Sequence, residues 1–198
     1  YERTYGSKWN TYSEVNWTPT EGEWPTIKKL INHLYGKNSV EEDQREEFYD
    51  YHTLLVKQPT VVQQARFNYS NSQGTSKSAL AELEHYMFGD NYAKIRDTEF
   101  DSQFNSIWVN SLILHLDEPS FDNKKKMSRQ IRDLVTTSSM NLRLMRTDYQ
   151  PIDFYSKLLI TTNDTDFMTF EKADRRYWIR EIPPIPDEDK DPNFNRKM

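Results

Sequence analysis

A lysine–serine pair, Lys77 and Ser78, follows a turn of small residues and precedes a run that favours helix. In many phosphate-binding proteins, the backbone N–H groups of such a turn and the N-terminus of the following helix surround the phosphates. The lysine then reaches the β- and γ-phosphates, and the hydroxyl beside it binds Mg²⁺. The pattern predicts a nucleotide-binding loop that contacts ATP through Ser72, Gln73, Gly74, Thr75, Ser76, Lys77 and Ser78.

The loop departs from the usual pattern G-x-x-x-x-G-K-[ST] at both glycines. Asn71 stands at the first glycine and Ser76 at the second. Glycine at the second position lets the backbone approach the phosphates without a Cβ. A serine there either crowds the β-phosphate or rotates outward. We therefore expect ATP binding that is weakened but not necessarily abolished.

Polar side chains also follow two apolar runs of strand length. Asp117 and Glu118 come after the run 112–116, and Asn163 comes shortly after the run 157–161. In an open parallel sheet, functional residues gather at the carboxyl ends of the strands. An acidic pair or an asparagine after a strand is often only a solvated turn, but their occurrence in this order after the loop favours a common site.

Nucleotide hydrolysis requires positioning and charge stabilisation more than covalent chemistry. Lys77 would neutralise the β- and γ-phosphates, and Ser78 and Asp117 would hold Mg²⁺. Glu118 would act as the general base toward the attacking water, and Asn163 would orient that water or sense the γ-phosphate.

A cation is also needed for the charge that develops during phosphoryl transfer. Arg175 and Arg176 precede the last predicted strand and follow Asp174. Either arginine could complete a neighbouring subunit's site. An ion pair with Asp174 or Glu171 is an equally good explanation of their presence.

The composition limits the classes of function. The 198 residues include 26 Lys and Arg against 31 Asp and Glu, for a net charge of −5, so any DNA contact must come from a local cationic strip. The absence of cysteine excludes disulfides and thiolate metal sites and fits a reducing compartment such as the cytoplasm. No apolar run approaches the ~20 residues of a membrane span. Because the chain begins at Tyr1, we expect neighbouring domains.

Apolar periodicity predicts an α/β fold with a parallel sheet flanked by helices. We expect three parts: an aromatic lead-in with a small helical collar at 1–58, a P-loop core at 59–185 and a charged, proline-containing tail at 186–198. Within the core, the helices are predicted at 77–88, 98–110 and 124–138, and the strands at 65–70, 92–96, 112–116, 140–145, 157–161 and 177–182.

Four motifs in sequence carry a resemblance to a known family. They are SQGTSKS at 72–78, LHLDE at 114–118, LLITTN at 158–163 and DRRYW at 174–178, supported by EWPTI at 23–27 and FNSIW at 104–108. In this order they resemble the superfamily-3 helicases, most closely the AAA+ module of phage, plasmid and mobile-element primase–helicases. The resemblance covers residues 17–185.

The resemblance implies an AAA+ motor that uses ATP and Mg²⁺, forms a hexamer and moves along single-stranded or forked DNA during replication. It implies an upstream primase domain and a place in the cytoplasm of a bacterial or phage-infected cell. Arg176 would be the finger that acts on the next subunit, with Arg175 as the second choice. A hairpin at 140–155 would grip DNA through Arg143 and Arg146, although solvated charges explain these two equally well.

Other functions remain open at the level of sequence. A P-loop protein without hydrolysis could serve as an assembly or DNA-loading platform, as the serine at position 76 suggests. A packaging ATPase or a small-molecule kinase is a third hypothesis, but no segment is typical of an acceptor pocket or a lid. A metal hydrolase is disfavoured because the four histidines are scattered, and His115 is expected to be a hydrogen-bonded core residue.

Overall fold

The computed structural model describes residues 4–5, 8–9, 17–100, 102, 104–119, 124–143, 150–164, 166–168, 170 and 174–186. The strands are β1 (Thr4–Tyr5), β2 (Lys8–Trp9), β3 (Ala65–Tyr69), β4 (Tyr92–Ile95), β5 (Ile113–Asp117), β6 (Ser139–Leu142), β7 (Gln150–Asp153), β8 (Lys157–Thr162) and β9 (Tyr177–Glu181). The helices are α1 (Pro25–Tyr35), α2 (Arg45–Lys57), α3 (Lys77–Phe88), α4 (Asp97–Phe100) and α5 (Lys124–Thr136).

A parallel sheet of five strands in the order β4-β5-β8-β3-β9 forms the centre of the fold. The strands β5 and β8 are almost entirely buried, which explains why their sequences are continuous apolar runs. The sheet is flanked by helices, as the sequence predicts. Because the five strands are parallel, their carboxyl ends lie along one edge.

The two faces of the sheet differ in chemistry. One face is apolar and packs against α5, with Phe67, Leu114 and Ile160 in contact with the cluster around Ile131. The opposite face packs against α2 and α3 and carries buried polar side chains between its apolar residues, among them Arg66, Asn68, His115, Thr161 and Arg180. Polar groups on this face must find partners inside the protein.

The collar helices α1 and α2 are joined to the sheet by a buried arginine. Arg180 of β9 donates from Nε to the Leu34 carbonyl (2.9 Å), from Nη1 to the Glu42 carbonyl (2.8 Å) and from Nη2 to the Gly36 carbonyl. The carbonyls of the last helical turn have no partner within a helix, so the guanidinium satisfies the end of α1. The collar therefore rests on the same face of the sheet as α3, where Leu80 of α3 joins its apolar cluster.

The predicted helix at 98–110 is wrong. Helix α4 covers only Asp97–Phe100, and residues 106–110 form turns. The reason is the side chain of Asn105, which donates to the Asn141 carbonyl (2.9 Å) and accepts from the Arg143 N–H (2.8 Å). Asparagine competes with helix by bonding the backbone elsewhere, and here it bonds β6. Ile107 is 71% exposed, whereas its neighbour Trp108 is buried.

The other core elements lie within two residues of their predicted limits, except the strand predicted at 140–145, which ends at Leu142. Strands β6 and β7 pair antiparallel, which confirms the strands of the predicted hairpin at 140–155. Arg143 lies exposed at the end of β6, whereas Arg146 falls outside the described residues. None of the helices in the described part of the chain is long and apolar enough to cross a membrane.

Candidate active site

The loop between β3 and α3 adopts left-handed backbone at two positions. Gly74 has φ 67° and Ser76 has φ 67° and ψ 13°. Left-handed backbone is easy for glycine but costs an ordinary L-residue roughly 1–2 kcal/mol. The serine therefore occupies a position that favours glycine because of its backbone conformation as well as because of the space that its Cβ takes.

Lys77 is the first residue of α3 and is buried at the carboxyl edge of the sheet. Its Nζ donates to Asn163 Oδ1 at 2.7 Å and to Thr75 Oγ1 at 3.1 Å. Burial lowers the pKa of the Lys77 ammonium, against the opposing effect of the Glu118 and Asp117 carboxylates. The ends of β3, β5 and β8 thus bring one cation and two carboxylates together.

Glu118 follows the end of β5 with φ 45°, a conformation that costs a residue other than glycine free energy. Asn163 holds the side chain there: its Nδ2 donates to Glu118 Oε1 at 2.6 Å and its backbone N–H to Oε2 at 3.0 Å. The Glu118 N–H also donates to the Thr161 carbonyl at 2.8 Å. Lys77, Asn163 and Glu118 therefore form one continuous hydrogen-bonded group.

Asp117, the last residue of β5, uses its two carboxylate oxygens differently. Oδ1 accepts from Thr161 Oγ1 at 2.7 Å, and Oδ2 forms an ion pair with Lys94 Nζ at 2.6 Å. Burial opposes ionisation of this carboxyl, but the hydrogen bonds from Lys94 and Thr161 outweigh it and lower the pKa of Asp117. The residue is a charged carboxylate that already holds a cation on its outer oxygen.

This donor chemistry fits Mg²⁺, a hard cation that takes few protein ligands and completes its shell with water and substrate phosphates. The described residues contain no group of three or more His, Asp or Glu that could hold a metal by themselves. Asp117 would be one protein ligand. Ser78 lies exposed in the first turn of α3, beside Lys77 in the chain, as the second predicted ligand.

The remaining predicted loop residues line the connection between β3 and α3. Thr75 is buried and accepts from Lys77, while Gln73 and Gly74 are exposed. The Ser72 N–H donates to Ser70 Oγ at 3.2 Å, which fixes the start of the turn.

The two arginines lie at the other edge of the sheet. Strand β9 runs parallel to β3 with Ala65 opposite Tyr177, so Arg175 and Arg176 precede the strand by its amino end. Five residues of strand, ~16 Å at about 3.3 Å per residue, separate that edge from the end of β3 that leads to the loop. Neither arginine can complete the site of its own chain by a small movement.

Arg176 forms the ion pair that the sequence analysis gave as its alternative role. Its Nε donates to Asp174 Oδ1 at 2.7 Å and its Nη2 to Oδ2 at 2.5 Å, and this hydrogen bonding lowers the pKa of Asp174. Arg175 is the more exposed of the two, and its carbonyl accepts from Gln64 Nε2 at 2.9 Å.

Sequence reasoning missed Lys94 and Thr161 as partners of Asp117. Lys94 is exposed on β4, and Thr161 appears in the sequence only as part of an apolar strand. The register that pairs Asp117 with Thr161 places both side chains on one face of the sheet. The available signal in the sequence was that Thr161 stands two residues before Asn163, because residues two apart along a strand lie on the same face.

Replacing Ser76 with glycine is expected to tighten ATP binding about 3- to 10-fold, the equivalent of roughly 0.7–1.4 kcal/mol. Glycine removes the Cβ from a left-handed position in the loop that would surround the phosphates. Isothermal titration calorimetry with Mg²⁺ and a non-hydrolysable ATP analogue measures the change.

Gly74→Ala is the matched control, since it adds a Cβ at the same φ and an added Cβ there would meet no atom within 4 Å. It should lower the free energy of unfolding by about 1 kcal/mol through backbone strain alone. Equal affinity in the parent and Ser76→Gly would show that the serine does not hinder the phosphates.

Comparison with known proteins places the chain in a family. A family model described as a family of unknown function, DUF5906, matches residues 68–176, more than half of the chain. The chain is 29% identical over 117 residues to the DNA primase-polymerase of Nitratiruptor phage NrS-1, a match that covers 57% of this chain and 16% of that protein.

Solved structures of the NrS-1 C-terminal region share the fold. An apo structure of that region (305-718) superposes with a TM-score of 0.74 at 21% identity, and covers 90% of this chain and 43% of the other. An A form apo structure gives 0.71 at 22% identity, covering 90% and 42%. The chain therefore spans less than half of the solved region and belongs to the DUF5906 family, whose function is unknown.

Proposed function

We propose that this chain is a P-loop ATPase module of the AAA+ type that acts on DNA in phage replication, as part of a superfamily-3 helicase or translocase. The observation that carries the proposal is the hydrogen-bonded group of Lys77, Asn163 and Glu118 at the carboxyl edge of the sheet. A cationic lysine at a helix N-terminus, beside an acid and an amide, is the arrangement that phosphoryl transfer to water requires.

The strand order supports this assignment of roles. Because β8 lies between β3 and β5, Asn163 lies between the loop lysine and Glu118. Its amide is within hydrogen-bond distance of both, so it can orient a water against the phosphate that Lys77 would hold. Glu118 would take the proton of that water as general base.

Each remaining group has a defined task when nucleotide binds. Phosphate oxygens would take the Nζ donors of Lys77, which releases the Asn163 amide oxygen to accept from the water. Asp117 and Ser78 would hold Mg²⁺, which neutralises charge on the phosphates when it is bound. The hydrogen bonds from Asn163 to both oxygens of Glu118 hold the base in place without help from the ligand.

The relatives support a role in replication. The NrS-1 relative is a phage DNA primase-polymerase, and the chain matches part of it. For this chain we propose single-stranded or forked DNA as the partner and a homo-hexamer as the assembly. In such a ring, head-to-tail contacts would place the Arg176 edge of one subunit at the nucleotide site of the next. DNA would contact the hairpin of β6 and β7 through Arg143 and Arg146, and its binding should weaken as salt rises.

Mixing subunits tests the ring. Lys77→Ala and Arg176→Ala proteins should each be inactive, but a 1:1 mixture should recover activity at about a quarter of the interfaces, where an intact lysine meets an intact arginine. DNA-stimulated release of phosphate is the measurement. A parallel mixture with Arg175→Ala tells which arginine acts, and failure to recover at every mixing ratio would contradict an arginine supplied by the neighbour.

A second candidate is a P-loop platform that assembles on DNA without hydrolysis. The serine with left-handed backbone at position 76 favours it, since this position is the one where glycine is normally required. Ring formation on single-stranded DNA, together with no phosphate release even in Ser76→Gly, would select the platform. Mg²⁺- and DNA-dependent phosphate release by the parent protein would select the ATPase.

A further inference from the structure

A buried chain of hydrogen bonds runs from the edge strand of the sheet to Asp117. The Tyr92 hydroxyl lies 2.7 Å from His115 Nδ1, His115 Nε2 lies 2.8 Å from Thr161 Oγ1, and Thr161 Oγ1 lies 2.7 Å from Asp117 Oδ1. Tyr92 belongs to β4, His115 to β5 and Thr161 to β8. We call these three residues the relay.

The donor in each hydrogen bond can be assigned by starting from Asp117, the acceptor at the end of the series. An ionised carboxylate only accepts, so Thr161 donates its hydroxyl proton to Asp117. The Thr161 oxygen then accepts from His115, which places the ring proton on Nε2 and leaves Nδ1 to accept from the Tyr92 hydroxyl. Every donor in this series of hydrogen bonds points toward Asp117.

The protonation state of Tyr92 agrees with this direction, because burial raises the pKa of its hydroxyl, which therefore keeps the proton that it donates. The confirmed prediction that His115 is a hydrogen-bonded core residue is thus incomplete, because its partners connect the core to the candidate metal ligand.

The relay fixes one oxygen of Asp117 and leaves the other toward solvent. Thr161 and His115 are 1% and 0% exposed, so water cannot replace their bonds. The outer oxygen, Oδ2, holds the Lys94 ammonium, whose side chain is 58% exposed. The carboxylate can therefore exchange one cation for another at Oδ2 without losing its orientation through Oδ1.

On the basis of the proposed function, we propose that Tyr92, His115 and Thr161 are positioning residues that orient Asp117 so that Oδ2 binds the Mg²⁺ of the nucleotide complex. Residues that hydrogen-bond a metal ligand typically affect metal affinity about 10- to 100-fold. Thr161 acts directly on the ligand, whereas Tyr92 acts through two intervening bonds, so its effect should be smaller.

The test measures metal binding apart from turnover. Mn²⁺ is titrated into protein saturated with a non-hydrolysable ATP analogue and followed by electron paramagnetic resonance, and affinity for the analogue is measured separately in EDTA. Thr161→Val keeps the side-chain shape and removes the hydroxyl, and Thr161→Ser restores the hydroxyl as the matched control. Tyr92→Phe removes the first donor and leaves the ring.

We expect Thr161→Val to weaken Mn²⁺ binding about 10- to 100-fold and Tyr92→Phe by a few-fold, with Thr161→Ser near the parent and affinity in EDTA unchanged. If Thr161→Val does not fold, as thermal unfolding would show, Tyr92→Phe decides alone. Parental Mn²⁺ affinity in the variants, beside normal binding by the parent, would overturn the relay only. A parent protein that binds neither analogue nor metal would overturn the proposed function together with it.

Discussion

Replacing Glu118 with glutamine is expected to slow ATP hydrolysis by about 10²- to 10⁴-fold while leaving nucleotide affinity nearly unchanged. Glutamine keeps the size of the side chain and an oxygen that can accept from Asn163, but it cannot take a proton from water. Single-turnover hydrolysis gives the chemical rate, and calorimetry with a non-hydrolysable analogue gives the affinity.

Glu82→Gln is the matched control for this prediction, since Glu82 is exposed on α3 and the substitution changes the net charge equally. It should hydrolyse ATP at the parental rate. Asn163 donates from two atoms to the two oxygens of Glu118. After the Glu118→Gln substitution, the side chain has one oxygen and accepts only one of these bonds, so a modest rise in its mobility is expected. Hydrolysis by Glu118→Gln at the parental rate would show that another group is the base.

Glu84→Gln is expected to lower the free energy of unfolding by about 3–5 kcal/mol. Glu84 lies on α3 and is 0% exposed, and both of its oxygens accept from Arg66 of β3 at 2.7 Å, while His52 of α2 lies 2.9 Å away. Removing the carboxylate leaves the Arg66 guanidinium charged and buried without a counter-charge. Urea unfolding followed by tryptophan fluorescence measures the change.

The same pair predicts a dependence on pH. Burial alone would raise the pKa of Glu84, but Arg66 and His52 outweigh it and hold the pKa below its usual value. The folded pKa lies below the unfolded one, so this contribution is complete above the unfolded value of about 4.3 and is lost as pH falls through the folded value. The stability difference between parent and Glu84→Gln should therefore shrink below about pH 4.

Glu82→Gln again serves as the control, because a surface substitution on the same helix should change stability by no more than about 0.5 kcal/mol. A loss below about 1 kcal/mol in Glu84→Gln would mean that the buried arginine finds another partner.

Sequence alone predicted the parallel sheet and the approach of Lys77, Asn163 and Glu118. Apolar runs identified the buried strands, and each run ended in a polar residue. Because parallel strands end at one edge, the residues that follow them were expected at that edge. Their contact also depends on the strand order, which places β8 between β3 and β5.

The partners of Asp117, the end of the helix that begins near residue 98 and the backbone of Ser76 could not be predicted from the spacing of apolar residues. The relay requires the register that pairs Asp117 with Thr161, whereas Lys94 reaches Asp117 because β4 pairs with β5, with Lys94 opposite His115. The helix expected at 98–110 failed because Asn105 bonds a strand that lies far along the chain. The left-handed backbone of Ser76 is a property of the folded loop. In the sequence, its only indication is that Ser76 stands where the motif has glycine.

A crystal structure of the chain with Mg²⁺ and a non-hydrolysable ATP analogue tests the central claim most directly. We predict the γ-phosphate against Lys77 Nζ, the Lys77–Asn163 bond broken, and the metal on Asp117 Oδ2 in place of the Lys94 ammonium. A nucleotide bound elsewhere, with the bonds among Lys77, Asn163 and Glu118 intact, would contradict the account.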